Sequence, residues 1–126
     1  MYTDNLNDIN AFFDDNTILI QRTLRSGQSL SYDGNIVIVG DVNPGAEVIA
    51  GGSVIVIGAL RGMVHAGASG DVNAVVIAFK LIPTQLCIVD HITRAPDNVE
   101  ISNDMVPEIA SLKNGMVTIE KWKAKG

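Results

Sequence analysis

Cysteine, histidine, aromatic residues and positive charge are all scarce in this chain of 126 residues. The single cysteine, Cys87, has no internal disulfide partner, and two histidines, at 65 and 91, give no metal-ligand spacing. The formal net charge is -5 and no Lys/Arg cluster precedes the last residues, so the electrostatic footprint of a nucleic-acid binder is missing. No apolar run reaches transmembrane length, and the opening Met1-Tyr2-Thr3-Asp4 does not read as a signal peptide. A reduced, cytoplasmic setting is the expectation. No glycine-rich phosphate loop is present, so any nucleotide would belong to a partner, and no cofactor is expected. Neither His65 nor His91 has a nucleophile or carboxylate at motif spacing, which argues against an enzyme. Glycine is absent between Asp71 and Asn114, whereas ten of the twelve glycines fall between Gly27 and Gly70.

What the chain has in abundance is valine and isoleucine, 29 residues together. β-Branched side chains suit pleated, buried strands and lose rotamer freedom in helices. The length fits one domain. Residues 1–16 form an acidic arm in which Leu6, Ile9 and Phe13 allow a short amphipathic helix capped by Thr3 or Asp4. Such a helix is too short to be stable alone, and the general disorder of termini favours a linker. Residues 17–24 read as a strand.

From there, short β runs alternate with turns. Gly34-Asn35-Ile36-Val37-Ile38-Val39-Gly40 lies over Gly52-Ser53-Val54-Ile55-Val56-Ile57-Gly58 at a spacing of 18 residues. Gly45-Ala46-Glu47-Val48-Ile49-Ala50-Gly51 similarly resembles Gly62-Met63-Val64-His65-Ala66-Gly67. Runs at 74–78, 85–89, 107–112 and 116–120 keep the style without the strict spacing. A repeat of this size reads as one coil of a β-solenoid, stacked in parallel ladders at about 4.8 Å. About four coils fit between residues 28 and 120. Gly40, Gly58, Ala50 and Ala66 would let the corners turn tightly. An antiparallel sandwich is the competing architecture, but Val54-Ile55-Val56-Ile57 lacks its hydrophobic-in, polar-out alternation. Apolar residues on both faces of a strand also leave one face to be covered from outside. That predicts a two-fold homodimer through an aliphatic outer face, with open edges at both terminal coils.

Four blocks then occur in order: Leu24-Arg25-Ser26-Gly27-Gln28, Gly40-Asp41-Val42-Asn43-Pro44-Gly45-Ala46-Glu47, Leu60-Arg61-Gly62, and Ala66-Gly67-Ala68-Ser69-Gly70-Asp71. Together they resemble the C-terminal domain of the bacterial septum-site-determining protein MinC, over roughly residues 17–120. The resemblance implies a right-handed, three-sided parallel β-helix that dimerises. It implies a non-catalytic role: binding the ATP-bound dimer of the membrane ATPase MinD, which brings MinC to the inner face of the membrane. It further implies co-assembly with MinD and, in some members, contact with the tail of the division protein FtsZ. The N-terminal α/β domain of full-length MinC has no counterpart here, so the expectation is an isolated C-terminal domain or a natural short form.

The resemblance points to Arg25, Ser26, Gly27 and Gln28 as the MinD-binding motif. Arg25 offers a planar fork of donors, Ser26 and Gln28 add hydrogen bonds, and Gly27 permits close approach or a positive φ. Gly45 and Gly62 match further family positions and read equally well as partner contacts or as corners. Arg61 would extend the patch or be a solvated corner residue. Asp71 reads as an Asx-turn residue, His65 as a stacked strand histidine and Cys87 as a buried small hydrophobe. Trp122, within the basic tail 121–126, sits among too few lysines for firm membrane anchoring. Two other functions compete. A left-handed β-helix acyltransferase would need an unbroken hexapeptide period. A self-assembling, bactofilin-like cytoskeletal solenoid would lack the Arg25–Gln28 block.

Overall fold

A parallel stack of coils requires like residues to recur one coil apart, and the aligned repeats meet that demand. The computed structural model describes residues 16–93 and 106–122. Eleven strands and no helix occur among them: β1 (Thr17–Ile20), β2 (Ser29–Tyr32), β3 (Asn35–Val39), β4 (Glu47–Ala50), β5 (Val54–Leu60), β6 (Met63–Ala66), β7 (Val76–Leu81), β8 (Gln85–Ile88), β9 (His91–Thr93), β10 (Glu108–Lys113) and β11 (Met116–Lys121). The reading of the arm as helix or linker lies outside the described residues, apart from Asn16. The tail beyond Trp122 lies outside them too.

The odd strands begin one sheet, in the order β1-β3-β5-β7-β10-β11, and the even strands a second, β2-β4-β6-β8-β9. The first four strands of each sheet are parallel. Ile18 stands over Ile36 and Ile36 over Val54, so the register repeats the 18-residue offset read in the sequence. A third, narrower side is a ladder of single residues: Leu24 bridges Val42, Val42 bridges Leu60, and Leu60 pairs with Leu81. The chain is therefore a three-sided β-solenoid of about four turns.

Three inward rows fill the interior. Ile36, Ile38, Val54, Val56 and Val76 enter from the first sheet, Leu24, Val42 and Leu60 from the narrow side, and Val48, Val64, Leu86 and Ile88 from the second sheet; all are at most 2% exposed. Among the described residues no polar side chain is buried. Ala50 and Ala66 end β4 and β6 fully buried, while Gly40 directly follows β3 and Gly58 lies at the register shift within β5.

Polar residues stitch the corners from coil to coil. Asn35 Nδ2 donates to Thr17 Oγ1 (3.2 Å), Ser53 N–H donates to Asn35 Oδ1 (2.8 Å), and Val75 N–H donates to Ser53 Oγ (3.0 Å). At another corner Asp41 N–H donates to Thr23 Oγ1 (3.2 Å) and Ala59 N–H to Asp41 Oδ1 (2.8 Å). Side chains so used satisfy backbone groups that turn away from the sheet ladders. The Asx reading of Asp71 holds: Asn73 N–H donates to its Oδ1 at 2.9 Å. The loop 67–75 containing it lengthens the register step from 18 residues to that between Val54 and Val76.

Two expectations change. The coils occupy residues 17–89 rather than 28–120, and the runs at 107–112 and 116–120 do not continue the winding. β10 pairs antiparallel with β7, β11 antiparallel with β10, and β9 antiparallel with β8. These strands cover the edges of the fourth coil that were expected to be open. The reversal between β10 and β11 is a two-residue turn, Asn114-Gly115, with φ of 55° and 75°. Positive φ at both central residues is the signature of the type I′ turn that matches hairpin twist.

The two sheets differ on their outer faces. On the first, Leu19, Val37, Ile55, Ile77 and Ile109 stand in one row across five strands, flanked by Val39 and Ile57. Leu19 is 48% exposed, Val39 39% and Ile57 45%. This is the aliphatic wall expected from the non-alternating strands. On the second sheet the outward rows are mixed: Ser29, Glu47, Met63 and Gln85 in one, Ser31, Ile49, His65 and Cys87 in the other.

Candidate functional site

The corner between the narrow side and the second sheet is built by stacked turns. In the first coil Gln28 N–H donates to Arg25 O (2.9 Å), and Arg25 N–H donates to Gln28 Oε1 (2.7 Å), closing the turn from both ends. One coil on, Ala46 N–H donates to Asn43 O (3.0 Å) in the equivalent turn. The two are tied by Gly27 N–H donating to Gly45 O (2.9 Å) and Glu47 N–H to Gln28 O (3.0 Å). Gly27 and Gly45 have nearly the same φ, 87° and 88°, a region that glycine enters without steric cost. At Gly45 a Cβ would also collide with Ser26 Oγ, whereas at Gly27 nothing lies within 4 Å of that position. Gly27 thus leaves an open approach to backbone.

The third coil cuts the corner. Arg61 N–H and Gly62 N–H both donate to Val42 O, at 2.8 and 3.2 Å. Gly62 is buried, and a Cβ there would come within 2.5 Å of Ala46 O and 2.6 Å of Asn43 O. All seven residues singled out in the sequence (Arg25, Ser26, Gly27, Gln28, Gly45, Arg61 and Gly62) therefore converge on one corner. Six are exposed; Gly62 acts from beneath by letting the coils close up.

The corner continues along the narrow side. Arg25, Asn43, Arg61 and Ile82 follow the inward ladder residues in successive coils, joined by Asn43 N–H to Leu24 O (2.9 Å), Arg61 N–H to Val42 O (2.8 Å) and Ile82 N–H to Leu60 O (3.0 Å). Lys80 pairs with Ala59 on the same side, and Arg22 precedes its first rung. A depression of about 410 Å³ opens there, lined by Asp41, Ile57, Gly58, Arg61, Phe79 and Lys80. The sequence reading missed Arg22 and Lys80. The coil length changes just before Lys80, so no repeat aligns it with Ala59, but the spacing from Leu60 to Leu81 identifies its place once the ladder is known.

The second sheet's outer face has different chemistry. His65 and Cys87 are directly paired, and both the imidazole Nε2 and the thiol bond to Val89 O, which sits in a turn with φ of 59°. Burial pushes the Cys87 thiol up, with Asp90 adding to the effect. A thiol held protonated is a poor nucleophile, so this pair is structural. Among the described residues no three His, Cys, Asp or Glu side chains gather as a metal site.

Residues 18–122 match the family model of the septum formation inhibitor MinC, C-terminal domain. The probable septum site-determining protein MinC of Heliobacterium modesticaldum is 60% identical over 109 residues, covering 86% of this chain and 37% of that protein. Its counterpart from Acetivibrio thermocellus is 60% identical over 100 residues, covering 79% of this chain and 44% of that protein. The chain therefore spans less than half the length of these two relatives. A chain of the MinC:MinD cell division protein complex of Aquifex aeolicus superposes with a TM-score of 0.79 at 38% identity, covering 86% of this chain and 87% of that one. Sequence, coil architecture and relatives agree, and the chain belongs to the family of MinC C-terminal domains.

Proposed function

We propose that this chain is the MinD-docking domain of a division-site placement system. In this reading it binds the ATP-bound dimer of the ATPase MinD and is held at the inner face of the membrane only through that partner. It thereby recruits inhibition of FtsZ-ring assembly. It performs no catalysis and needs no cofactor. The observation that carries the proposal is the convergence of Arg25, Ser26, Gly27, Gln28, Gly45 and Arg61 on one exposed, rigid corner, in a chain 38% identical to a component of a MinC:MinD complex. A turn closed by its own hydrogen bonds loses little conformational freedom on docking, which favours affinity.

The aliphatic wall supports the second element, a two-fold homodimer in which each copy covers the other's first sheet. A dimer carries two docking corners and so also supports co-assembly with a dimeric ATPase into copolymers. Direct contact with the FtsZ tail belongs to the same proposal, on the resemblance alone.

Co-sedimentation with MinD-coated vesicles tests the central claim. Wild-type chain is expected to pellet with ATP and remain soluble with ADP. Arg25→Ala is expected to weaken binding at least about 30-fold, as loss of a central arginine does at interfaces. Gly27→Asp places a side chain on the open approach and is expected to abolish binding. Both variants should keep a β-type circular dichroism spectrum. Retained ATP-dependent pelleting by both would remove the assignment. Filaments of the pure protein without MinD would favour the cytoskeletal scaffold instead.

A further inference from the structure

The narrow side differs from the rest of the molecule in charge. It carries Arg22, Arg25, Arg61 and Lys80, four of the six Lys and Arg among the described residues, but Asp41 alone of the seven described carboxylates. None of these four cations has an ion-pair partner among the described residues. By contrast Lys113, on the closing hairpin, is paired with Glu120 at 2.6 Å. Asp41 is only partly available, because its Oδ1 accepts from Ala59 N–H. A chain with a net charge of -5 thus gathers uncompensated positive charge on one side.

The placement is periodic and rigid. Arg25 and Arg61 stand two coils apart and Lys80 one coil further, so at about 4.8 Å per coil the stripe is roughly 15 Å long. Adjacent cations in it fall within about a Debye length of one another at 0.1 M salt, so they act as one patch. Arg61 and Lys80 line the depression together with Asp41, Ile57, Gly58 and Phe79. With two cations against the one carboxylate of Asp41, the cleft keeps a net positive charge, and its low-dielectric walls focus that field outward.

We propose that this stripe receives a carboxylate-bearing surface of the ATPase partner, and that Lys80, one coil beyond Arg61 on the same side, is a specificity-determining contact. The inference rests on the docking reading above and extends it from one corner to the length of the narrow side. A partner that supplies carboxylates relieves the mutual repulsion of four unpaired cations, and Arg61 gives a planar fork for one of them while Lys80 gives a point charge. Rim charges of this kind act chiefly on association rate and salt dependence.

The test measures association of the 126-residue chain with immobilised, ATP-loaded MinD dimers between about 50 and 300 mM salt, across which the Debye length shrinks through the spacing of the stripe's cations. Lys80→Glu is expected to slow association about tenfold at low salt and to flatten the salt dependence; Lys80→Gln gives a smaller slowing in case the reversal disturbs β7. Lys80→Arg is expected to restore the wild-type rate, and Lys113→Glu to leave it unchanged. If Arg25→Ala loses binding while both Lys80→Glu and Lys80→Gln bind like wild type, this inference fails and the docking reading stands. If Arg25→Ala and Gly27→Asp also bind normally, the docking reading itself fails. Vesicles of anionic phospholipid without MinD are the remaining arm: binding there that Lys80→Glu removes would assign the stripe to lipid and overturn the proposal.

Discussion

The first sheet's outer wall and the narrow side are made by the same coils, yet one is aliphatic and the other cationic. Within one coil, Ile55 and Ile57 belong to the wall and Arg61 to the stripe, while Val54, Val56 and Leu60 between them face the interior. The inward residues hardly vary in character around the triangle. The outward ones decide what each side can meet. Alternation of side chains along a strand makes this separation available, since neighbours point to opposite faces and evolve under different constraints. A solenoid can therefore hold its fold constant and dedicate each side to a different partner.

A charge on the wall should break that comparison most severely. Leu19→Asp, in the row with Val37 and Ile55 on a face that we propose is covered by a second copy, would bury an unpaired carboxylate in the dimer but leave it solvated in the monomer. Dimer affinity is expected to fall at least about 100-fold, seen as monomer by light scattering at micromolar concentration, with the circular dichroism spectrum retained. Vesicle pelleting through a single corner should weaken but persist, because the stripe is untouched. A dimer of undiminished affinity would show that the wall is not the interface.

The corners beneath both surfaces should respond next. Asn35 donates to Thr17 and accepts from Ser53 N–H, so it bridges three coils at the edge of the wall. Asn35→Ala leaves Ser53 N–H without that acceptor in a half-buried corner and is expected to cost about 1–2 kcal/mol, or several degrees in Tm. The wall and the stripe should both survive, so dimerisation and MinD binding at low temperature are expected to be unchanged. A Tm equal to wild type would mean that the polar stack is incidental to coil spacing.

How much of this was legible in the sequence follows from the same physics. In-register parallel stacking forces residues one coil apart into one environment, so Ile36 over Val54 and Asn35 over Ser53 were visible as a repeat, and the motif residues followed it to one corner. Strand direction is not written in an apolar run. Hence Glu108–Lys113 and Met116–Lys121 looked like further winding and are instead an antiparallel closure. The signal that could have told them apart is short: Asn114-Gly115 between two β runs marks a hairpin. Lys80 was hidden for a different reason, because the longer loop 67–75 shifts its coil out of the repeat, and its meaning depends on three-dimensional neighbours. Cys87 is buried and His65 is stacked between Ile49 and Cys87, as their residue types and strand positions suggested.

Lys113→Ala should have the smallest effect, and it sharpens the contrast between paired and unpaired cations. Lys113 and Glu120 lie across the closing hairpin at 2.6 Å, with side chains 53% and 56% exposed. An ion pair so solvated is screened on both sides and holds two flexible chains in one geometry, so its removal is expected to cost less than about 0.5 kcal/mol. The substitution removes the same formal charge as Lys80→Gln, yet it should leave the rate of MinD association unaltered. If both variants slowed association equally, net charge alone would govern the encounter, and the arrangement along the narrow side would carry no information. Unequal responses would instead mean that position matters more than total charge, as expected when cations stand within a Debye length of one another without neutralising partners.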